Sequence, residues 1–378
     1  MTHRRLTAII CTLPLSILGC LSPASADTDV QVTNQDVQVT NQGNSRYLLH
    51  WTQTGPVDVL VSGRPDVKES SMRVLASNVR GPTYETSSLD VPRPYFLLRS
   101  ADGARHRTAE RLIPLQGGSN FRDLGGYPAA GGKHVRWGLL YRSAAMPKLT
   151  DADYEYLSAL KIRTVVDLRS QDERELSPVR WRARPSPRFI TAGYPGASFF
   201  RRLQGFNGPA REFVTERLYW DIPLLLREGY RVLFDEMLHG RAPMVFFDGV
   251  GEDRTGIAAG LILSALGTPR EIIYEDYLLS TRDRQPQNEM ADVNLQDYAA
   301  TNSEAQFLIE YREYAEKMRS AKRSAPTQAP LTDSRGRPLL QDAFEEIEAD
   351  CGSVPNYLDK MLGIDAADIA KLRALYLE

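Results

Sequence analysis

The stretch Met244-Val245-Phe246-Phe247-Asp248-Gly249-Val250-Gly251-Glu252-Asp253-Arg254-Thr255-Gly256 decides how this chain is read. Four consecutive apolar residues have the make-up of a buried strand. A glycine-rich turn follows, and Thr255 opens an apolar run to 266 with helical spacing. A strand–turn–helix of this kind aims successive backbone N–H groups, and the positive end of the helix dipole, into one concavity that suits an anion. Arg254 adds a planar fork matched to two phosphate oxygens. Gly249, Gly251 and Gly256 permit tight curvature and the close approach of a ligand. A plain strand-to-helix connection would have the same spacing, so the turn alone does not settle a function.

Working outward, strands alternate with helices from about residue 114 onwards. The run 162–168 is a second buried strand, and helical spacing covers 150–160, 230–238, 269–279, 303–318, 341–350 and 366–377. Such alternation argues an α/β fold with a parallel-rich sheet flanked by helices. Upstream the period is two. Tyr47-Leu48-Leu49-His50-Trp51, Val57-Asp58-Val59-Leu60-Val61, Met72-Arg73-Val74-Leu75-Ala76 and Tyr95-Phe96-Leu97-Leu98-Arg99 are short strands, with Ala101-Asp102-Gly103 as a hairpin turn. They predict a small antiparallel β-sandwich of the fibronectin type III sort, with Trp51 and Tyr95 as core aromatics. Nothing in that region carries chemistry.

The N-terminus is of another kind. His3, Arg4 and Arg5 precede an apolar stretch over 6–21, and Ala24-Ser25-Ala26 is a small-x-small cleavage site. This is the layout of a secretory signal peptide, which places the protein in the periplasm or outside the cell. A rival cut at Ile17-Leu18-Gly19-Cys20 would instead leave a lipid anchor on Cys20. Residues 29–35 are repeated unchanged at 36–42, which reads as a spacer or a frayed strand. The expected organisation is therefore a signal peptide over 1–26, a linker over 27–46, the β-sandwich over 47–112 and the α/β domain over 113–378.

Composition narrows the function classes. With 378 residues, 42% apolar and 25% charged, and a formal net charge of −2, the chain offers no electrostatic case for nucleic acid. Past the N-terminal stretch, no apolar run approaches the length of a membrane span. Cleavage at 26 leaves Cys351 as the sole cysteine, so no internal disulfide forms. No histidine follows it, and a packing role near a helix end is its expected use.

At the glycine-rich turn the chain resembles the bacterial protein-tyrosine-phosphatase family with the signature His-Cys-x-x-Gly-Lys-Asp-Arg-Thr-Gly. Asn120-Phe121-Arg122-Asp123-Leu124-Gly125-Gly126-Tyr127 is similar to that family's opening motif. Gly138-Leu139-Leu140-Tyr141-Arg142-Ser143, Val165-Val166-Asp167-Leu168-Arg169-Ser170 with Glu173, Tyr277-Leu278-Leu279-Ser280 and the C-terminal Gly352-Ser353, Tyr357-Leu358, Leu362-Gly363 and Leu372-Arg373 follow in the family's order. The departures are as specific as the matches. Phe247 stands where the family has His, Asp248 where it has the nucleophilic Cys, Val250 where Ala is usual, and Glu252 where it has Lys.

The resemblance implies that Arg254 clamps phosphate and that Asp253 is the acid that protonates the leaving group; no residue inherits the nucleophile's role except, by position, Asp248. It places the ligand among Gly249, Val250, Gly251, Glu252 and Thr255, with Arg122 and Asp123 facing the pocket or forming a structural salt bridge. Acids at 248 and 252 oppose a bound dianion, since two like charges about 4 Å apart repel by roughly 1 to 4 kcal/mol. Cysteine-dependent hydrolysis is excluded by chemistry.

Three readings stand open. The first is a pseudophosphatase that binds a phosphorylated or anionic small molecule or protein. The second is an enzyme of altered chemistry, using Asp248 and Asp253 as an acid/base set, with no cofactor unless Asp248, Glu252 and Asp253 together hold a divalent metal. The third is a residual phosphoester hydrolase acting through an Asp nucleophile or an activated water.

Overall fold

The computed structural model describes residues 37–191, 193–194, 211–320 and 331–378. The signal peptide, Cys20 and the first copy of the duplicated heptapeptide lie outside the described residues. Strands β1 (Val37–Asn41), β2 (Tyr47–Trp51) and β5 (Thr83–Glu85) form one sheet in the order β1-β2-β5. Strands β3 (Val57–Ser62), β4 (Arg73–Val79), β6 (Tyr95–Ser100) and β7 (Arg105–Ala109) form a second, ordered β4-β3-β6-β7. All these pairings are antiparallel. Tyr47, Leu49 and Trp51 of the first sheet interlock with Val57, Val59, Val61, Phe96 and Leu98 of the second. Period-two patterning thus builds a two-sheet core.

Two sequence expectations change here, and two strands come to light. The second heptapeptide copy is not linker: Val37 and Val39 alternate towards the core, and Val37–Asn41 pairs with β2. Trp51 is a core aromatic, but Tyr95 turns out of the sandwich to pack with Ala109 and Trp137. Strands β5 and β7 (Thr-Tyr-Glu and Arg-His-Arg-Thr-Ala) were hidden because polar side chains fill most of their positions.

The α/β part is built on a five-stranded sheet ordered β11-β10-β12-β9-β8. Its strands are β8 (Arg122–Asp123), β9 (Leu140–Ser143), β10 (Thr164–Asp167), β11 (Arg188–Thr191) and β12 (Met244–Phe247). The pairings β9–β12, β12–β10 and β10–β11 are parallel, and only β8 runs antiparallel. The helices are α1 (Asp151–Leu160), α2 (Gln171–Leu176), α3 (Arg211–Leu225), α4 (Arg227–Leu238), α5 (Asp253–Leu266), α6 (Arg270–Leu278), α7 (Ser303–Ser320), α8 (Leu340–Cys351), α9 (Val354–Leu362) and α10 (Ala366–Tyr376). Among the described residues no helix is long and apolar enough to cross a membrane.

β12 is the central strand, and all four of its side chains are buried. α5 leaves its C-terminal end and is buried on nearly every face, as an apolar helix in the middle of a domain must be. Capping boxes start α1 at Thr150 and α2 at Ser170, so each helix begins where its orphan N–H groups find side-chain oxygens. The basic, proline-interrupted stretch 180–188 leads into the edge strand β11. Cys351 is half-buried at the end of α8.

The β-sandwich is docked onto the α/β part through buried polar contacts. Arg93 Nη2 donates to Asp123 Oδ2 at 2.8 Å, and the Gly138 amide donates to the same oxygen at 2.9 Å. Trp137 Nε1 donates to the Arg107 carbonyl at 3.1 Å. A Cβ on Gly138 would lie 2.8 Å from Pro65 Cγ, so a larger residue would push the two parts apart. Beside this seam, Glu110 accepts from the Asn41 amide at 3.2 Å. Burial pushes its carboxyl up to about 7 from an ordinary 4.5, against the smaller opposing effect of the Asn41 bond. The folded state thus prefers the protonated acid. Its contribution is intact below about 4.5 and is lost as pH rises through about 7. Glu110→Gln should accordingly flatten the pH dependence of stability, raising it above pH 7 by about 1–3 kcal/mol. Urea midpoints measured from pH 5 to about 8.5 check this, and parallel wild-type and variant curves would refute it.

Candidate functional site

The site is the turn between β12 and α5. Asp248 follows Phe247 directly and is fully buried. Its Oδ1 accepts from the Val250 amide at 2.9 Å and the Gly251 amide at 2.5 Å, and its Oδ2 accepts from the Thr255 amide at 3.0 Å. Three amides of the turn thus converge on a carboxylate that belongs to the chain itself. The Arg254 Nε lies 3.6 Å from Asp248 Oδ2, so the guanidinium supports the same charge.

The loop keeps this shape because its carbonyls are held from outside. Asn120 Nδ2 donates to the Gly251 carbonyl at 2.9 Å and the Val250 carbonyl at 3.3 Å. Arg142 Nη2 donates to the Gly251 carbonyl at 2.7 Å, and the Ala145 amide to that of Gly249 at 3.3 Å. With the oxygens anchored outward, the planar peptides turn their N–H groups inward. Arg142 is fixed by Asp276 at 2.6 Å, and Arg122 holds both the Asp276 carbonyl and the Asn120 side-chain oxygen. Gly251 has φ +72°, and a Cβ there would lie 2.7 Å from the Ala144 nitrogen. Only glycine meets both constraints.

The remaining loop side chains diverge. The Arg254 guanidinium makes a two-bonded pair with Glu173, at 2.6 and 2.8 Å, and donates to the Tyr194 hydroxyl at 2.7 Å. Glu173 also closes the capping box of α2 by accepting from the Ser170 amide at 2.8 Å. Desolvation opposes its charge, yet Arg254 keeps the Glu173 carboxyl below its ordinary range. Glu252 pairs with Arg284 at 2.8 Å, which in turn pairs with Glu289. Asp253 accepts from the Tyr219 hydroxyl at 2.5 Å, and Tyr219 meets the Tyr277 hydroxyl at 2.5 Å. Burial first, then the nearby Asp248 charge, raise the Asp253 carboxyl above its ordinary range.

Of the residues singled out from the sequence, Asp248, Gly249, Val250, Gly251, Glu252, Asp253, Arg254 and Thr255 share this one turn. Arg122 lies behind it and stabilises its clamp. Asp123 does not face it: both its oxygens are spent on Arg93, Gly125 and Gly138 at the junction with the β-sandwich. Its pocket-facing assignment is corrected, and the salt-bridge alternative is the one observed. Asp167 likewise pairs with Arg169, whose guanidinium lies 5.1 Å from the Phe247 ring centroid. Asp248, Glu252 and Asp253 point to three different partners. Among the described residues no group of three or more His, Cys, Asp or Glu side chains is placed to hold a metal. The sequence reading missed Tyr194, Tyr219 and Arg284. Lone tyrosines and an arginine in weakly patterned segments leave no signal until the fold brings them to the loop.

The buried Arg254–Glu173 pair makes a prediction. Glu173→Gln leaves a desolvated guanidinium undercompensated and should lower stability by about 3 kcal/mol or more. Neutralising Glu85 of the exposed Arg46–Glu85 pair should change it by less than about 1 kcal/mol. Guanidinium-chloride denaturation of both variants checks the contrast; equal effects would contradict the burial argument.

The match with known proteins covers the same region. The model of a tyrosine phosphatase family matches residues 113–378. A Cupriavidus necator protein named as a candidate tyrosine-protein phosphatase is 30% identical over 265 residues, spanning 68% of this chain and 86% of that protein. The triple specificity protein phosphatase PtpB of Mycobacterium tuberculosis is 30% identical over 201 residues, 46% of this chain and 70% of PtpB. A tyrosine-protein phosphatase of Nostoc commune is 28% identical over 154 residues, 40% of this chain and 51% of that protein. The chain belongs to the tyrosine phosphatase family.

Proposed function

We propose that this member of the tyrosine phosphatase family is a pseudophosphatase whose anion cradle is occupied by its own Asp248. One observation carries the reading: the two oxygens of Asp248 take the Val250, Gly251 and Thr255 amides that a phosphate would need. Asp248 stands where the resemblance puts the nucleophilic cysteine. The single cysteine in residues 37–378 is Cys351, at the far end of α8, so no thiolate is at hand. Arg254 is committed to Glu173, and Glu252 adds a further negative charge beside the loop. An incoming dianion would have to displace a carboxylate held by three charge-assisted bonds, each worth about 1.5–3 kcal/mol. The ligand of this module is read as a phosphorylated or anionic small molecule or protein, in keeping with the family.

An acid/base enzyme is the second reading, favoured by the raised Asp253 carboxyl within the same turn as Asp248. Asp253 would supply the proton, as the acid member of the set. A metal-assisted version lacks support in the divergence of the three acids. Attack by Asp248 on phosphorus is disfavoured because both of its oxygens are already engaged. Export to the periplasm or beyond rests on the N-terminal pattern alone. The fibronectin type III likeness draws support from the two sheet orders, β1-β2-β5 and β4-β3-β6-β7.

The test is direct. The purified protein should not turn over p-nitrophenyl phosphate, with or without magnesium or manganese. Asp248→Gly and Asp248→Ser should empty the cradle and tighten inorganic phosphate binding by about a hundred-fold, equivalent to roughly 3 kcal/mol, as read by calorimetry. Wild-type turnover that disappears in a folded Asp248→Asn variant would overturn the pseudophosphatase reading in favour of the acid/base enzyme.

A further inference from the structure

A second cavity lies at the other end of the central strand. It has a volume of about 640 Å³ and is bounded by the β3–β4 connection and the start of β6 on the sandwich side. On the α/β side it is bounded by the end of α1 and the residues that lead into β10 and β12. Pro243 precedes the first residue of β12 and Asp248 follows its last. The two sites are therefore separated by the five residue steps from Pro243 to Asp248, about 17 Å.

We propose that this interdomain cleft binds a small anionic molecule with a flat apolar portion. Its size falls in the range of organic-ligand sites, which favour the seams between domains. Trp137, Tyr95, Leu160 and Pro243 supply apolar wall. The charged lining is unbalanced: Arg64, Arg93, Arg136, Lys161 and Arg163 face only Asp66 and Glu378. Arg64 is neutralised by Asp66 at 2.9 Å. Arg163 meets only the Gly240 and Ala242 carbonyls, and Lys161 has no ionic partner among the described residues. Arg93 is buried behind the same wall, its Nε on the Tyr95 hydroxyl and its Nη2 on Asp123. The rim cations would steer such a ligand inwards.

The cleft depends on neither the occupancy of Asp248 nor any chemistry at the loop, so its test is separate. The probe is anilinonaphthalene sulfonate, which is flat, apolar and anionic, titrated into the full chain and followed by fluorescence. One saturable site is expected. Lys161→Asn combined with Arg163→Ala should weaken it at least about three-fold, since each removed charge accounts for a few tenths of a kcal/mol or more. Asparagine is chosen because residue 161 has φ +52°, which it tolerates. Ala159→Trp, at an exposed lining position, should block the site while leaving circular dichroism unchanged. Absence of a saturable site, or unchanged affinity in either folded variant, would overturn the proposal.

Discussion

Backbone N–H groups that converge on one point must find an acceptor, and most of the active region of this protein follows from that requirement. The turn after β12 collects the amides of Val250, Gly251 and Thr255 around a single position. Something negative has to stand there, and Asp248 is the nearest candidate in the chain. Once its carboxylate is seated, Arg254 is drawn towards it. Arg254 in turn demands a stronger partner for its remaining donors and finds Glu173. Glu173 is itself fixed by the first turn of α2. The loop, the arginine and the start of a helix on the neighbouring strand thereby form one electrostatic unit with little charge left over.

The fold was legible in the sequence where periodicity was strong. β12 and the apolar helix after it, the second buried strand and the alternating strands of the sandwich all follow from the spacing of apolar residues. The elements that escaped notice were those whose side chains contradict their position. β1 is polar apart from two valines, β7 carries two arginines and a histidine, and β11 begins in a run of arginines. Such strands are held by their neighbours' hydrogen bonds and by two buried side chains at most, so pattern alone cannot find them.

For the site, the identity of the loop was readable and its state was not. Motifs in register located the turn, Arg254, Asp253 and the departures from the family's signature. The direction of a carboxylate is a tertiary fact. Nothing in the order of residues says that Asp248 bends back onto amides two, three and seven positions ahead, or that Glu252 reaches Arg284. Asp123 is the instructive error. It adjoins Arg122 in a motif that suggests one shared role, yet neighbours on a strand point to opposite faces. One braces the loop and the other fastens the sandwich.

The outward clamp on the loop carbonyls has an evolutionary consequence. Asn120, Arg142 and the Ala145 amide hold the turn by its backbone, and none of them touches the side chain at 248. The turn is therefore braced from outside as well as by the residue that occupies its first position. A lineage can exchange that residue, lose one chemistry and later acquire another without first having to rebuild the cradle. The scaffold acts as a socket, and the residue at its first position sets what is plugged into it.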